Sequence, residues 1–401
     1  MAGDRRRERG NIGIWAALAF TTVGSFMALA VHAGRSYSNR VELQNGADAA
    51  ALAAAAQLDG TAAGVDAATQ AAASFGAQHR TENVSIGIGA SDVTVGTWDR
   101  ASATFTPIAG RTAADLRRIL AVQVADARTN LAVPFGPAVL GASSTTSVAA
   151  SAVAVGGGPC EDECAFPGAF ADCLLLDADG NLKCDDRYHV LKNDWQDNLG
   201  LTSLDPNKSA SVQSIKDALK QCVHTSADTP IPVNNGNPIN SVFGSSGNGN
   251  NQSGLGVFGS SLPVTVVAPV VHAPNCPSAS FCTGVKSQSD PCPNPRFNQD
   301  MTIVGYVAIV ICYITDSNLK KNADGTYWPP SDWPSSNADC GPAPTQADFD
   351  GLTDQQWNGG KYLTQTIFTK QLCNWRDPGN GSHKAGCESF GIWTSRSRLV
   401  R

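Results

Sequence analysis

The chain has 401 residues, which is enough for two modest domains or one large irregular domain. Its formal net charge of −6 excludes a general electrostatic attraction to nucleic acid or to anionic lipid. Only 16% of the residues are charged, a low share for a cytosolic protein, and the abundant Gly, Ser, Asn and Pro favour many turns and short strands.

A basic cytoplasmic segment, residues 1–11, is predicted at the start of the chain. It contains Arg5, Arg6, Arg7 and Arg9. An apolar run from Ile12 to Val31 follows, and no charged residue occurs after this segment until Arg35. Twenty helical residues extend about 30 Å, the thickness of bilayer hydrocarbon. We therefore predict a transmembrane helix over residues 12–34, with a cytoplasmic N-terminus because the arginines precede the span.

A cleaved signal peptide is the main alternative to an anchor. The sequence Val31-His32-Ala33 resembles a cleavage site, but the apolar run is longer than the usual signal-peptide core of about 7–15 residues. A buried helix of a soluble protein is a weaker alternative, because it leaves the arginine-rich flank unexplained. We favour an uncleaved single span, with everything after it exported.

An alanine-rich helical stem is predicted for residues 35–80. Alanine has the highest helix propensity, so the helix is expected to continue to about Leu58, where Asp59-Gly60 ends it. A second helix is predicted from Gly64 to about Ala77. Because the alanine surface has little side-chain bulk, we expect it to pack on a similar helix of a related subunit.

One stripe of the stem helix combines apolar residues with a carboxylate. Tyr37, Val41, Asp48 and Leu52 lie on it at helical spacing. Two interpretations of Asp48 stay open: it pairs with a basic group of a neighbouring subunit, or it pairs locally as a solvated residue.

The basic start, the single span and the segment beyond it together resemble a known family. The shared pattern is Arg-Gly before the span and R…LQN-ADAAALA-A after it. The matching residues are Arg9, Gly10, Arg35, Leu43, Gln44, Asn45, Asp48, Ala49, Ala50, Ala51, Leu52 and Ala53. This module is similar to the N-terminus of the TadE/TadG-like proteins of Flp (tight adherence) pilus assembly.

The resemblance implies a structural component of a Flp (Tad) pilus or related envelope machinery. It implies a bacterial inner-membrane protein, periplasmic or surface-exposed beyond its span, that contacts related pilus-assembly or pilin-like subunits; its homo-oligomeric state stays open. His32 stands where the family has an acidic residue near the end of the span. Trp15 stands at the fifth position after Gly10, where processed prepilins have Glu, so we expect no cleavage there.

The sequence pattern changes in residues 81–157. Short runs in which β-branched residues alternate with other residues are separated by turn-forming residues, and this pattern predicts a small β-rich region. Strands are predicted within residues 83–89, 92–98, 102–108, 120–126 and 145–155. The segment 113–128 begins as helix or strand, and strand is favoured for its second half. The sequence Gly156 to Pro159 indicates a boundary before a Cys-rich domain, residues 158–401.

All twelve cysteines lie in that last domain. They are Cys160, Cys164, Cys173, Cys184, Cys222, Cys276, Cys282, Cys292, Cys312, Cys340, Cys373 and Cys387. An even count confined to one exported region favours disulfides, whose pairing the sequence leaves open. Zinc is disfavoured because no C-x2-C pair occurs. The whole chain is thus predicted to be α+β, with a β-rich head stapled by disulfides.

The Cys-rich domain contains several recognisable elements. A hairpin is predicted from residues 173–177 and 181–184, turned by Asp179-Gly180, and an amphipathic helix is predicted from Ser211 to Val223. Residues 261–271 and 300–316 are the most apolar and predict core strands. A second membrane span at 300–316 is disfavoured, because that run is β-branched and polar at its ends.

No motif predicts catalysis, a metal site or a cofactor. The sequence lacks H-E-x-x-H, G-x-S-x-G, P-loop and dinucleotide-binding patterns. The aspartates around Gly180 miss the EF-hand spacing, and the D-x-S-x-S metal motif of many TadG-like proteins is absent. His383 lies near Cys387, but a disulfide is favoured over a nucleophile. We predict no enzyme and no nucleic-acid partner.

An anchored or secreted adhesin is the alternative function. The C-terminal part carries Trp328, Trp333, Trp357, Trp375 and Trp393. Aromatic residues beside prolines bind peptides or glycans in some proteins. The more ordinary interpretation is that they pack a small disulfide-stapled unit.

Overall fold

The computed structural model describes most of the chain. The described residues are 5–81, 83–132, 145–172, 175–176, 181–182, 189–192, 199–234, 239–243, 256–258, 262–272, 300–315, 329, 333–335, 337–343, 345, 366–373, 375–376, 385–394 and 397–400. They form a long apolar N-terminal helix followed by a β-rich remainder, which confirms the predicted α+β class.

Two helices come first, α1 (Arg5–Ala55) and α2 (Ala62–Gly76). The turn between them is set by hydrogen bonds: the hydroxyl of Thr61 accepts the backbone N–H of Gly64 at 2.9 Å and caps α2. The carboxylate of Asp59 accepts the backbone N–H of Thr61 at 3.0 Å. Asp59 therefore ends the alanine-rich sequence as predicted, although α1 itself stops earlier, at Ala55.

In the described part of the chain, the strands alternate with three further short α-helices. Before residue 156 they are β1 (Arg80–Thr81), β2 (Val84–Ser85), β3 (Val93–Asp99), β4 (Thr104–Pro107), α3 (Ala113–Arg118), β5 (Ala121–Ala132) and β6 (Thr145–Val155). Up to residue 243 they are β7 (Gly158–Pro159), β8 (Glu161–Asp162), β9 (Gly168–Ala171), β10 (His189–Lys192), β11 (Leu199–Thr202), α4 (Val212–Lys220), β12 (Thr225–Ser226), β13 (Pro230–Asn234) and α5 (Ile239–Phe243). The last are β14 (Val264–Val271), β15 (Asp300–Ile314), β16 (Thr366–Gln371), β17 (Trp375–Arg376), β18 (Ala385–Ser389), β19 (Ile392–Trp393) and β20 (Arg398–Val400).

The first sheet has five antiparallel strands in the order β20-β6-β5-β3-β4. The second half of α1 and α2 cover one face of it. Apolar side chains on alternate positions of the strands fill the layer between helices and sheet, as a half-buried sheet requires. The strand residues of this core are Val95, Val122, Val124, Ala150, Ala152 and Ala154. We call α1 from Asn39, α2, α3, β1 to β6 and β20 the N-terminal unit.

The predicted strands of this unit are partly correct. The last predicted strand, 145–155, coincides with β6, and segment 113–128 divides into helix α3 and strand β5. Segment 83–89 forms only the short strand β2. Its isoleucines, Ile86 and Ile88, are buried against α1 and α2 instead.

The described residues between 158 and 394 form the C-terminal unit, which is built around β15. Pairings run from β15 to β13, β11, β9 and β14, and β14 pairs back to β15, which closes a ring of strands. The strands β16 and β10 extend the sheet from β15. The predicted strand at 300–316 is therefore confirmed over Asp300–Ile314, and the alternative of a second membrane helix is wrong.

Both faces of β15 are buried, which explains its nearly continuous apolar sequence. Val307, Ile309 and Ile311 face one core, whereas Met301, Ile303 and Tyr306 face another. The register of the β14–β15 pair shifts between Val270 and Val271. Such a bulge changes which face successive side chains point to, so Ile303 and Tyr306 reach the same core.

The amphipathic helix and the hairpin of this unit appear in shorter form. α4 spans Val212–Lys220 and buries Ile215 and Leu219, so it ends before the predicted Val223. At the predicted hairpin the structure has one antiparallel bridge, Leu176 with Leu182. The Asp179-Gly180 turn lies outside the described residues, as do most of residues 243–259.

Three disulfides are present among the described residues, in agreement with the predicted framework. They are Cys160–Cys387, Cys164–Cys222 and Cys312–Cys340. Cys373 is also disulfide-bonded. The predicted candidates Cys173, Cys184, Cys276, Cys282 and Cys292 lie outside the described residues.

The two units meet where the predicted boundary, residues 156–159, lies. β7 in this segment pairs with β18, and Thr394 donates its backbone N–H to the carbonyl of Gly157 at 3.0 Å. The chain then returns to the first unit, since Ser397 donates its hydroxyl to the Leu52 carbonyl at 2.9 Å and β20 joins β6. The predicted division at this segment stays a prediction.

Candidate membrane anchor and assembly surface

The first half of α1 projects without packing against the rest of the described chain. By length and composition this helix can cross a membrane. No residue of its most apolar stretch of 18 residues is buried. Its large side chains are exposed: Ile12, Ile14, Trp15, Leu18, Phe20, Val23, Phe26, Met27, Leu29 and Val31. An apolar surface of this size is too costly to leave in water, which fits single-pass anchoring.

The polar side chains of this half are satisfied inside the helix. Thr22 donates its hydroxyl to the Leu18 carbonyl at 2.8 Å, and Ser25 donates to the Thr21 carbonyl at 2.7 Å. Thr21 donates in the same way to Ala17 at 2.8 Å. These bonds remove the cost of placing free hydroxyls in hydrocarbon, so the Thr-Thr-x-Gly-Ser sequence does not oppose a membrane location.

The second half of α1 lies inside the N-terminal unit. Leu43 and Ala51 are fully buried, and so are Ala47, Ala50 and Ala54 on the same face. They face α2 and the first sheet, where alanine allows the helix to approach closely. The chain's own sheet and α2 occupy this face of the alanine surface, so the expected packing on a related subunit does not use these residues. Packing through the rest of the helix stays a prediction.

Two polar motif residues attach the helix to the sheet. Gln44 donates its side-chain N–H to the carboxylate of Asp48 at 2.7 Å and to the carbonyl of Ser151 on β6 at 3.0 Å. Asp48 is half-buried. Its local contact with Gln44 agrees with the local interpretation, and pairing with a neighbouring subunit stays untested.

The remaining motif residues divide between contact and exposure. Leu52 is half-buried and its carbonyl accepts the Ser397 hydroxyl, and Ala49 is also half-buried. Asn45 and Arg35 are exposed. Arg9 and Gly10 are helical residues of α1, and the structure describes only their backbone.

Two residues of this helix that make close contacts were not predicted from the sequence. Asn39 is buried and accepts the Thr81 hydroxyl at 3.4 Å. At Gly46, an added Cβ would lie 2.4 Å from the Cδ1 atom of Ile86. Their spacing is a usable signal, because residues 39, 43, 46, 47 and 50 follow a single helical face.

An ion pair between buried Arg117 and half-buried Glu388 joins the N-terminal unit to the C-terminal unit. Arg117 of α3 lies 3.1 Å from the carboxylate of Glu388 on β18, and its guanidinium lies 5.9 Å from the centre of the Phe390 ring. Burial raises the pKa of the Glu388 carboxyl, and the charge of Arg117 opposes this rise. The contact therefore carries an electrostatic cost that depends on pH.

The tryptophans of the C-terminal part are mainly packing residues where the structure describes them. Trp333 and Trp393 are buried, and Trp375 is half-buried. Trp333 packs its ring on Tyr313 and Phe368, beside the Cys312–Cys340 disulfide. The packing interpretation thus gains support over the adhesin interpretation, while Trp328 and Trp357 lie outside the described residues.

The described residues contain no group of three His, Cys, Asp or Glu side chains able to hold a metal ion. The aspartates considered for calcium, Asp177, Asp179, Asp185 and Asp186, lie outside that part of the chain, as does His383.

Comparison with known proteins identifies the N-terminal segment. Residues 10–57 match the model of the Tad family, described as Flp pilus-assembly TadE/G-like. This range covers the span and the half of α1 buried in the N-terminal unit, so the predicted resemblance is confirmed over it. No curated protein and no solved structure matches the chain.

Proposed function

We propose that this protein is a membrane-anchored structural component of a Flp (Tad) type pilus or of related envelope machinery, and that it acts through protein–protein contact rather than catalysis. The observation that carries the proposal is the division of α1 within the family segment. Its first half is apolar and exposed, and its second half forms part of the core of a folded unit.

Because α1 is continuous, it connects the span rigidly to the N-terminal unit. α1 has 51 residues, which corresponds to about 76 Å at 1.5 Å per residue. No turn separates the span from the core-forming half, so the N-terminal unit is held in a fixed orientation relative to the span. A rigid connection of this kind suits a subunit that has to present a defined surface to neighbouring pilus components.

Two features support a cytoplasmic N-terminus with both folded units in the periplasm or at the cell surface. Four arginines precede the span, the charge distribution that retains the N-terminus inside. The C-terminal unit is held by disulfides, which persist in oxidising compartments.

The test is complementation of a deletion strain, with piliation scored by electron microscopy. The full chain is expected to restore pili, and a chain lacking residues 1–31 behind a cleavable export signal is expected to fail. The truncation has to stop there because Leu43 and the buried alanines beyond it belong to the core. Loss of residues 1–60 would unfold the unit and give no information about anchoring.

A second variant separates anchoring from specific contacts within the membrane. Residues 12–31 are replaced by a leucine–alanine span of equal length, which keeps the anchor and changes its surface. Restored piliation would assign the contacts to the exported units, and failure would assign them to the span. Equal protein levels on immunoblots are the control. Full piliation by the exported chain without residues 1–31 would disprove the proposal.

A further inference from the structure

The disulfides whose two halves are both described differ in exposure. In one of them, Cys222 is exposed and its partner Cys164 is half-buried. The other two are buried at both halves, namely Cys160–Cys387 and Cys312–Cys340. A thiolate has to reach a sulfur atom in order to attack it, so exposed disulfides exchange with external thiols more readily than buried ones. Among these bonds, Cys164–Cys222 is therefore the accessible one.

Cys222 lies in a short connecting segment, residues 221–224, between α4 and β12. Helix α4 precedes the segment and is fixed by its own core contacts, since Ile215 and Leu219 are buried. Strand β12 follows the segment and pairs with β8. Both ends of the segment are thus anchored independently of the disulfide, so opening of the S–S bond would release the segment without unfolding the elements on either side.

Contacts other than the S–S bond hold Cys164 close to Cys222. The β8–β12 pair places Asp162 opposite Thr225, next to both cysteines in the chain. Asp162 is buried, and its carboxylate accepts the backbone N–H of Cys164 at 2.7 Å. These contacts do not involve either sulfur, so they would remain after reduction. The two thiols would stay within reach of each other, and the same bond would reform on oxidation.

The charges beside the two cysteines favour attack at Cys222. Lys220 and His224 flank Cys222 in the chain, and both are exposed. The residues next to Cys164 are acidic instead, namely Glu161, Asp162 and Glu163. An incoming thiolate is negatively charged, so it is attracted towards Lys220 and repelled by the carboxylates beside Cys164. Exposure and charge therefore select the same sulfur.

We propose that Cys164–Cys222 is a thiol–disulfide exchange site for a dithiol protein of the compartment that contains the C-terminal unit. A thiolate of the dithiol attacks the Sγ atom of Cys222 and forms a mixed disulfide. The electron pair of the broken S–S bond leaves on the Sγ atom of Cys164, which takes a proton from water. The partner's second thiol loses its proton, attacks the partner sulfur of the mixed disulfide and releases Cys222 as a thiolate. The partner's dithiol is thereby oxidised to a disulfide, and the cysteine pair is reduced. This site goes beyond the proposed structural role and does not depend on it.

The test measures how fast each disulfide of the full, detergent-solubilised chain is reduced by dithiothreitol, which serves as the probe dithiol. Thiols freed at each time are alkylated with one reagent, the remaining disulfides are then reduced and labelled with a second reagent, and mass spectrometry maps both labels. Cys164 and Cys222 are expected to react at least about tenfold faster than the cysteines of the two buried disulfides. A buried pair has to open before it reacts, and an opening cost of about 1.4 kcal/mol already gives this factor. After dithiothreitol is replaced by oxidised glutathione, the same pair should reform.

Two variants test the direction of attack. Lys220→Glu is expected to slow reduction of the pair by reduced glutathione, whereas Lys220→Arg keeps the positive charge and should react like the wild type. Unchanged hydrogen exchange in β15 verifies that each variant is folded. The inference would be overturned if a buried disulfide were reduced as fast as Cys164–Cys222, or if this pair stayed oxidised until the chain unfolded. Equal rates for the two Lys220 variants would refute attack at Cys222.

Discussion

Gly46 sets how closely α1 approaches the segment after the β1–β2 hairpin. Its added Cβ would come within 2.4 Å of the Cδ1 atom of Ile86, so this fully buried side chain would have to shift within the core. Overpacking a buried site typically costs about 1–3 kcal/mol. We therefore expect Gly46→Ala to lower the free energy of unfolding of the N-terminal unit by about that amount, despite alanine's better helix propensity. Urea unfolding of the detergent-solubilised chain measures the change.

Gly34 provides the matched control on the same helix. No atom lies within 4 Å of its added Cβ, so Gly34→Ala should be neutral or should stabilise α1 by up to about 1 kcal/mol. If both alanine variants unfold at the same urea concentration, the close packing of Gly46 on Ile86 does not limit the stability of the unit.

Glu388 makes the contact between the two units sensitive to pH. Burial is the main reason that its pKa is raised, and Arg117 opposes the rise. The folded chain therefore binds more protons than the unfolded chain between the ordinary carboxyl pKa and the raised one. The contribution of this carboxyl to the free energy of unfolding is fully present below its ordinary pKa. It is lost as pH rises from the ordinary pKa through the raised one. We expect Glu388→Gln to remove this loss.

The measurement is the free energy of unfolding of wild type and variant across the acidic range. The wild type should fall relative to Glu388→Gln as pH increases. Asp300→Asn, at an exposed position, should follow the wild type throughout. A stability difference between wild type and Glu388→Gln that stays constant with pH would show that the carboxyl gains no pKa shift from folding.

Individual elements differ in how well their sequence specifies them. α1 is predictable because alanine propensity and a charge-free apolar run are local properties. Its partner is not predictable, since the same alanine face suits a neighbouring subunit or the chain's own sheet equally well. The structure shows the second case for Ala50 and Ala51. Composition thus predicts the helix and its closeness of packing, but not what packs on it.

The strand β20 illustrates a contact that local sequence cannot reveal. It has three residues and pairs with β6, with Leu399 opposite Ala154. A three-residue strand has too few side chains for an alternation pattern, and its partner lies more than two hundred residues earlier in the chain. The family motif shows the same limit. Gln44 is recognisable from sequence, but its hydrogen bond to Ser151 depends on the assembled sheet.

At the scale of the whole molecule, the Cys160–Cys387 disulfide closes the C-terminal unit. It joins residues separated by 227 positions, whereas Cys312–Cys340 joins residues separated by 28. In the chain-entropy model, a crosslink raises the free energy of the unfolded state, and it does so more when its loop is longer. The rise is about 5 kcal/mol for the Cys160–Cys387 loop and about 3.5 kcal/mol for the Cys312–Cys340 loop. We expect C160A/C387A to destabilise the unit more than C312A/C340A.

Both variants remove buried half-cystines, so the comparison isolates loop length better than either variant alone. Urea unfolding followed by tryptophan fluorescence gives the two free energies. Cys387 is adjacent to Glu388, which faces Arg117 across the junction. Loss of the long-range disulfide should therefore also speed hydrogen exchange in α3, whereas loss of Cys312–Cys340 should leave α3 unchanged. Equal destabilisation with no effect on α3 would mean that the long-range bond neither restricts the unfolded chain more nor supports the contact between the units.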